Sequence, residues 1–385
     1  MDIPFNRPTL PPYDLLHKSV EAFYETGMIT NGPVVRNLET EIEDAFLLGN
    51  AVAVSCCTSG LMLALRCKGL SGKVALPSFT FFASAHAVVW NGLEPAFVDV
   101  EPDTWNTSPE ALQQALDEDE EVSAVLPVHV FGNPCDVGGL EAVVHNHGLT
   151  LIYDSAHAIG AKVGENWVGG FGDAEVFSLS PTKLVVAGEG GVITTADAEL
   201  AERLRAGRDY GNAGDYDPSL IGLNARMSEF HAALAIESFR MLEQNVTRRN
   251  EIANKYVEGL SRVRGITFQV IKQGNRSTFK DFTILVDEAK FGLDRDVLSW
   301  HLARRGIDSR KYFYPPVHRT NAYWGRWGQK YDELLPVTNR LSRQSLSLPI
   351  WSHMELGLID RIVEAISHAH SESEEINSEY LQANP

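Results

Sequence analysis

The stretch VFSLSPTKLVVAGEGGVITT, residues 176–195, contains one basic side chain, Lys183, and one acidic side chain, Glu189. Its other residues are small, apolar or hydroxylic, which is typical of a protein interior. Two interpretations of Lys183 are open from this segment alone. The lysine stem can lie along apolar surface while its ammonium group reaches water. Alternatively, burial lowers the pKa of the amine, which makes it a nucleophile able to form a Schiff base.

The residues around this stretch alternate helical patterns with short apolar runs. NLETEIEDAFLL and SGLMLALRCKGL have the spacing of amphipathic helices, and the strand candidates are AVAVSC, KVALP, EPAFVDV, SAVLPVHVFG, LTLIYDSA and EVFSLS. Short apolar strands separated by helices predict an α/β fold with a mostly parallel sheet covered on both faces. Binding sites in such sheets gather at the carboxyl ends of the strands. Ser59, Asp154 and the segment around Lys183 follow strands in this way.

The chain after about residue 225 predicts a second, smaller unit. A long helical stretch over 225–263 leads out of the first domain, and ITFQVI, DFTILVD, DRDVLSWHLARRG and a helix near 355–370 follow it. We therefore predict a large domain over residues 1–245 and a small C-terminal α+β domain over 246–370. The end of the chain, 371–385, is polar and acidic, and we predict a loosely held tail there.

The composition excludes several classes of function. The chain has 385 residues, of which 44% are hydrophobic and 22% charged, and a formal net charge of −18. Duplex nucleic acid and membrane surfaces favour a basic face, so we expect neither as a partner. The four cysteines form no CxxC motif, and the two HxH pairs lie in polar, helix-like contexts, so we expect no metal. Without a signal peptide or an apolar run of about 20 residues, a cytoplasmic location is expected.

Two motifs upstream of Lys183 have both a structural and a chemical interpretation. CTSGLMLAL, residues 57–65, places Thr58, Ser59 and Gly60 at the start of a helix. Such residues serve either as a plain N-cap or as part of a phosphate site built from exposed backbone N–H groups. PSFTFFASAHAV, residues 77–88, places three phenylalanines just after a strand. These aromatic rings either belong to the core or stack on a flat ligand ring.

A third motif, LIYDSAHAIGA, ends a strand in Asp154 with His157 three residues later. The acid is either a cap for the next element or the partner of a cationic ring nitrogen. Each signal is weak singly, but their order along the chain is specific. Together with Ser178, Lys183 and the following GEGG, they describe a lysine, an acid, an aromatic ring and an anion site in one α/β domain.

This series of motifs resembles the fold-type-I pyridoxal 5'-phosphate (PLP) enzymes, and among them the DegT/DnrJ/EryC1/StrS sugar aminotransferases. The resemblance extends from about residue 28 to 350. Its motifs are ITNGPVVRNLE, CTSGLMLAL, PSFTFFASAHAVVWNGLEPAFVDVEPDTWN, LPVHVFGNPCDV, IYDSAHAIGA, FSLSPTKLVVAGEGG, GLNARMSEFHAAL, RKYFYPPVH and LSLPI. It departs from the common pattern at Leu179, where an aromatic residue or histidine is more frequent, and at Ser155, where alanine is.

The resemblance implies a role for each motif residue. Lys183 matches the lysine that forms an imine with the cofactor and then acts as the acid and base. Asp154 matches the acid that pairs with the pyridine nitrogen, and His157 the residue near the ring hydroxyl. The remaining cofactor contacts implied are Phe81 stacked on the ring, Ser59 and Ser178 on the phosphate, Gly60 through its backbone, and Asn224 from the neighbouring subunit. A homodimer with shared active sites is therefore implied.

The substrate class also follows from the resemblance. The phrases GNPCDV, IYDSAHAIG and RKYFYPPVH are most similar to those of aminotransferases acting at C4 of dTDP-4-keto-6-deoxyglucose, with L-glutamate as the amino donor. By position, the candidate contacts to the nucleotide-linked sugar are Arg226, Arg310, Lys311, Tyr314 and His318. Each of these charges is equally consistent with an ordinary surface or inter-subunit group.

Three alternatives differ in chemistry. An aminotransferase for a 3-keto sugar nucleotide or a cyclitol ketone is the nearest. A non-catalytic regulator of the same fold, or the family branch that performs dehydration, is expected to lack Lys183, so the retained lysine favours transamination. A nicotinamide dehydrogenase requires G-x-G-x-x-G after the first strand, and CTSGLM is not that motif.

Overall fold

The computed structural model describes residues 2–384. Fourteen α-helices occur within this range, together with short 3-10 turns. They are α1 (Tyr13–Tyr24), α2 (Pro33–Phe46), α3 (Cys57–Cys67), α4 (Ala83–Trp90), α5 (Pro109–Glu118), α6 (Val137–His147), α7 (Ala198–Gly207), α8 (Glu229–Phe239), α9 (Leu242–Leu260), α10 (Glu288–Phe291), α11 (Arg295–Arg304), α12 (Pro336–Gln344), α13 (Leu356–Ser371) and α14 (Ser373–Ala383).

The strands of the described residues form three sheets. They are β1 (Asn50–Val54), β2 (Lys73–Pro77), β3 (Glu94–Val98), β4 (Val122–Val125), β5 (Thr150–Asp154), β6 (Lys162–Val163), β7 (Asn166–Trp167), β8 (Ala174–Ser178), β9 (Gly191–Thr195), β10 (Ile266–Phe268), β11 (Phe282–Val286) and β12 (Ser345–Leu348). The large sheet has the order β1-β9-β8-β5-β4-β2-β3. Its pairs from β8 to β3 are parallel, whereas β9 runs antiparallel to both β1 and β8.

This architecture confirms the predicted α/β fold with a mostly parallel sheet. The sequence analysis did not identify β9 as a strand, because its GVITT run follows the glycine-rich GEGG. Successive side chains of a strand point to opposite faces of the sheet. In β1, Val52 and Val54 pack with α3 and α7 on one face, while Ala51 and Ala53 pack with α2 and α8 on the other. Helices α5 and α6 cover the remaining strands on that second face.

Side-chain caps fix where several of these helices begin. Ser108 accepts a hydrogen bond from the backbone N–H of Ala111 at the start of α5, and Pro109 occupies the first helical position. Asp197 and Asp294 cap α7 and α11 in the same manner. Caps of this kind satisfy N–H groups that have no acceptor within the helix. They hold the helices in register with the strands that carry the site residues.

The C-terminal part contains the antiparallel sheet β10-β11-β12, packed against α9, α11 and α13. The predicted single helix over 225–263 is two helices, since α8 ends at Phe239 and α9 begins at Leu242. The first turns of α9 pack in the core of the large sheet, and its later turns pack in the C-terminal core. Ile3 also belongs to the C-terminal core, so the N-terminal segment contacts both units.

The predicted loose tail is wrong for residues 373–383, which form α14. Ile376 of this helix is buried in the C-terminal core. The ring centres of Tyr380 and Trp300 lie 5.4 Å apart, and Arg304 lies 3.3 Å from Glu379. The acidic composition suggested a solvated segment, but one apolar stripe at helical spacing is sufficient to hold it against α11. Pro385 lies outside the described residues.

No helix within residues 2–384 has the length and hydropathy of a membrane span. No group of three or more histidine, cysteine, aspartate or glutamate side chains in this range has the arrangement of a metal site.

Candidate active site

A cavity of about 360 Å³ opens beside the carboxyl ends of β5 and β8. Most of the predicted cofactor residues line it, although they come from separate motifs. The predicted residues at this cavity are Thr58, Phe81, Asp154, His157, Ser178 and Lys183. The topology explains the convergence, because parallel strands place the residues that follow them at one edge of the sheet.

Lys183 lies in the turn between β8 and β9, and its side chain is half-buried. Its backbone N–H donates to the carbonyl of Ser180 at 3.0 Å, which fixes the turn. Burial, and after it the positive charge of Lys280, lowers the pKa of the amine from its ordinary value of 10.5 to about 7. The amine is therefore substantially neutral near pH 7, as a Schiff-base lysine requires.

This lowered pKa predicts how fast the protein without its cofactor attaches pyridoxal phosphate at different pH values. The neutral amine reacts, and with a pKa of about 7 its fraction rises about tenfold between pH 6 and pH 8 and then levels off. The rate of covalent attachment should follow that curve, measured by stopping with borohydride and quantifying the modified peptide. A rate that still rises tenfold per pH unit between 8 and 10 would show an ordinary lysine.

Asp154 is buried at the end of β5 and has one donor on each carboxylate oxygen. The Ser84 hydroxyl donates to Oδ2 at 2.7 Å, and the Ala156 backbone N–H donates to Oδ1 at 3.1 Å. Burial raises the pKa of this carboxyl group, while these hydrogen bonds lower it. A cationic ring N–H facing the carboxylate would stabilise its charged form. Ser84 is a residue that the sequence analysis missed.

Ser155 has a structural explanation for its departure from the common alanine. Its hydroxyl donates to Oε2 of the buried Glu175 at 2.5 Å. The other oxygen of Glu175 accepts from the backbone N–H groups of Gly169 and Phe171. Since an unsatisfied buried carboxylate is costly, the serine completes a network beneath the site instead of lining it.

His157 lines the cavity with one ring nitrogen already engaged. Its Nδ1 accepts a hydrogen bond from the backbone N–H of Phe131 at 3.2 Å. Burial lowers the pKa of the imidazole well below its ordinary value, and Lys183 and Lys280 lower it further. A neutral ring that accepts at Nδ1 carries its proton at Nε2. His157 is thus a hydrogen-bond donor of the kind that suits an oxyanion or phenolate.

The start of α3 differs in detail from the prediction. The Ser59 hydroxyl donates to the carbonyl of Cys56 at 2.8 Å, and Ser59 does not line the cavity. Gly60 faces the sheet, where an added Cβ would lie 2.7 Å from Val176. Cys57 and Thr58 lie at the cavity instead. Of the three residues predicted at this helix start, Thr58 therefore lies at the cavity, and an anion site there would be formed by the first turn of α3 together with Ser178.

Phe81 is the aromatic residue available for stacking. It is 47% exposed, and its ring centre lies 3.9 Å from that of Phe82. Phe79, by contrast, is fully buried and packs against Phe131 and Phe313. Of the three phenylalanines in PSFTFFASAHAV, Phe81 alone lines the inner cavity.

A second cavity, of about 480 Å³, adjoins the first. The two share Thr80, Phe81, Tyr312 and Phe313 along their common wall. Three of the predicted substrate residues line this outer cavity, namely Arg310, Lys311 and Tyr314. Its wall is aromatic and cationic, which suits a ligand with a flat base and phosphate groups.

The other predicted substrate residues lie elsewhere in this chain. His318 is wrong as a contact, because it is fully buried and bonds to the Ser78 hydroxyl at 2.7 Å. Arg226 pairs with Asp209 at 3.2 Å and lines neither cavity. Asn224 is exposed and accepts a hydrogen bond from Arg226. Asn224 and Arg226 thus lie toward the surface of this subunit, outside both of its cavities.

The sequence analysis missed three further lining residues, Lys280, Asp281 and Tyr312. They lie just before β11 and in the segment after α11, about 100 residues from the motifs of the large sheet. No local signal marks Lys280 and Asp281, except that they form a charged pair before an apolar strand, whereas Tyr312 lies within RKYFYPPVH beside the predicted Lys311.

Comparison with known proteins gives a consistent result. The model of the DegT/DnrJ/EryC1/StrS aminotransferase family matches residues 14–367. The dTDP-4-amino-4,6-dideoxy-D-glucose transaminase of Escherichia coli is 30% identical over 370 residues, covering 94% of this chain and 98% of that protein. The UDP-N-acetyl-3-dehydro-alpha-D-glucosamine 3-aminotransferase of Acidithiobacillus ferrooxidans is 35% identical over 338 residues, covering 86% and 87%.

Two solved structures of similar proteins superpose on nearly the whole of this chain. The crystal structure of DesI in the presence of its TDP-sugar product has a TM-score of 0.92 and 32% identity, covering 98% of this chain and 95% of that one. The structure of S. venezuelae DesV in complex with a ketimine intermediate has a TM-score of 0.87 and 30% identity, with 95% and 99% covered.

Proposed function

The chain belongs to the DegT/DnrJ/EryC1/StrS aminotransferase family, and from that premise we propose that it aminates C4 of dTDP-4-keto-6-deoxyglucose with L-glutamate as the donor. It is a PLP-dependent aminotransferase of the nucleotide-sugar class. The observation that carries the finer proposal is the outer cavity, whose cations and aromatic rings adjoin the site of Lys183.

The residues of the inner cavity fit the cofactor. Pyridoxal phosphate supplies a carbon that carries the amino group and a ring that accepts electrons. In this proposal Asp154 holds the proton on the ring nitrogen, since it is a buried carboxylate without a cation of its own. His157 would donate from Nε2 to the ring oxygen, and Phe81 would lie against the ring. The first turn of α3 and Ser178 would hold the phosphate.

Lys183 performs the proton transfers in this arrangement. Its amine, with a pKa of about 7, is able both to accept a proton from the substrate carbon and to return it at neutral pH. The same nitrogen attaches the cofactor between turnovers. Amino transfer thus occurs in two halves, with the donor leaving as a keto acid before the ketone enters.

The relatives differ in the sugar carbon that receives the amino group. Proteins named dTDP-4-amino-4,6-dideoxy-D-glucose transaminase are 30% and 31% identical to this chain. A 3-aminotransferase and a dTDP-3-amino-3,4,6-trideoxy-alpha-D-glucose transaminase are 35% and 33% identical. The two relatives named for a 4-amino sugar each match 94% of this chain, whereas the two named for a 3-amino sugar match 86% and 89%. This fuller match supports amination at C4, and the 3-keto sugar nucleotide is the second candidate.

The test is to supply L-glutamate with either dTDP-4-keto-6-deoxyglucose or its 3-keto isomer and identify the product by NMR. We expect a 4-amino-4,6-dideoxy sugar from dTDP-4-keto-6-deoxyglucose. The kcat/KM for this ketone should be at least about tenfold above that for the 3-keto isomer, because a sugar whose reacting carbon is misplaced loses a charge-assisted contact. Preferential amination of the 3-keto isomer would replace the C4 proposal, and amination of neither would reject both sugars.

We further propose a homodimer in which Asn224 and Arg226 complete the site of the other subunit. The support is an exposed apolar surface on α1 and the residues after it. Tyr13 and Tyr24 are 73% and 70% exposed, and Phe230 of α8 packs edge-on against Tyr24. Large exposed aromatic side chains in a cluster are typical of a surface that another protein covers.

A further inference from the structure

A buried ion pair lies in the wall of the inner cavity, and the mechanism above does not use it. Lys280 and Asp281 are 4% and 2% exposed. The ammonium group of Lys280 lies 2.9 Å from both carboxylate oxygens of Asp281. Burying two charges is costly, and such a pair contributes little to stability compared with apolar residues of the same volume. The presence of this ion pair is therefore better explained by a function than by stability.

The charge of Lys280 acts on the inner cavity. It lowers the pKa of both Lys183 and His157, which line that space from the large sheet. Lys280 Nζ lies 5.6 Å from the centre of the Tyr312 ring, which is in the wall shared with the outer cavity. The Lys280 ammonium thus belongs to the wall of the inner cavity, next to the aromatic ring that both cavities share.

The backbone beneath this lysine is held firmly. The buried guanidinium of Arg249, on α9, donates to the carbonyl of Lys280 at 2.7 Å and to that of Phe279 at 3.2 Å. The segment therefore has a fixed position relative to the cavity. A preorganised cation of this kind binds an anion without reordering the chain.

An amino acid donor needs such a group. Its amino nitrogen has to reach Lys183, and its α-carboxylate then lies a few ångströms away within the same cavity. Among the described residues, the lysines that line this cavity are Lys183 and Lys280, and no arginine does. Lys183 reacts as a neutral amine, so Lys280 is the cation left for the carboxylate. An ammonium has three N–H donors, and Asp281 does not require all of them.

We propose that Lys280 binds the α-carboxylate of the amino donor, and that Asp281 balances its charge while the donor is absent. This inference rests on the proposed transamination with an amino acid. It predicts selectivity for donors that carry an α-carboxylate over amines that lack one. L-Glutamate and 4-aminobutyrate are a matched pair, because they differ only in that group.

The experiment uses the double variant K280M/D281N in the holoenzyme. Replacing both residues at similar volume avoids an unpaired buried charge, which would destabilise the fold. Two quantities are measured: the Kd of glutarate, an unreactive dicarboxylate, by calorimetry, and the kcat/KM ratio of L-glutamate to 4-aminobutyrate. We expect the Kd to rise and the ratio to fall by about tenfold to a hundredfold, as the loss of a charged hydrogen bond implies.

Matched variants separate this role from a structural one. Lys255→Met removes a partly exposed lysine that pairs with Asp360 at 2.7 Å and lines neither cavity, and it should change neither quantity. Asp281→Asn alone frees the ammonium, so glutarate should bind more tightly. Unchanged glutarate binding and an unchanged donor ratio in the double variant would overturn the proposal. Product formation by the unmodified enzyme is a separate readout, and its absence would reject the proposed function instead.

Discussion

Lys183→Ala is expected to lower kcat by at least about 10⁴-fold, because one change removes both the attachment point and the acid–base group. The lowered pKa of about 7 is specific to this amine and results from its burial beside Lys280. The measurement has two parts, steady-state amination of the keto sugar and borohydride reduction followed by mass spectrometry. In the unmodified protein we expect the reduced cofactor on the peptide that contains residue 183.

The control for that experiment is Lys255→Ala, which removes a partly exposed lysine on α9 that lines neither cavity. It should retain full activity and the modified peptide. Attachment of the cofactor to Lys280, the other lysine that lines the cavity, would contradict the assignment of Lys183. An active Lys183→Ala protein that still holds reduced cofactor would also contradict this assignment.

Asp154→Asn is expected to lower kcat by about 10² to 10³-fold while leaving the cofactor attached to Lys183. The amide keeps the shape of the side chain but removes the negative charge that holds a proton on the ring nitrogen. Ser84 and the backbone of Ala156 donate to this carboxylate, so its position is fixed by the fold. The rate is measured together with the ¹⁵N chemical shift of labelled cofactor, which reports protonation of the ring.

A matched control for Asp154→Asn is Asp117→Asn, since that side chain is 60% exposed on α5. It should alter neither the rate nor the ¹⁵N shift. If Asp154→Asn keeps a protonated ring nitrogen and near-normal kcat, another acid performs this task and the role given to Asp154 is wrong.

The sequence by itself determined the sheet, and it predicted one lysine as the nucleophile and one aspartate as its acidic partner. Asp154 ends β5 and Lys183 lies in the turn after β8, so the order of short apolar strands was enough to bring them to one edge of the large sheet. The identity of the cofactor followed from the resemblance of these motifs, in their order along the chain, to those of a known family. The family assignment confirms that reading.

Only the tertiary structure decided which atoms face the cavity. On α3 one residue turns the side chain by about 100°, so Thr58 points into the site while Ser59 and Gly60 do not. His318 looked like a substrate contact until packing buried it against Ser78.

Long-range packing also decided the far wall of the site and the end of the chain. Lys280 and Asp281 reach the site from a different sheet, through contacts that no local pattern encodes. The acidic end forms α14 because its apolar stripe finds a partner on α11. Periodicity determines elements, but burial and orientation depend on which surfaces meet, and that is a property of the whole fold.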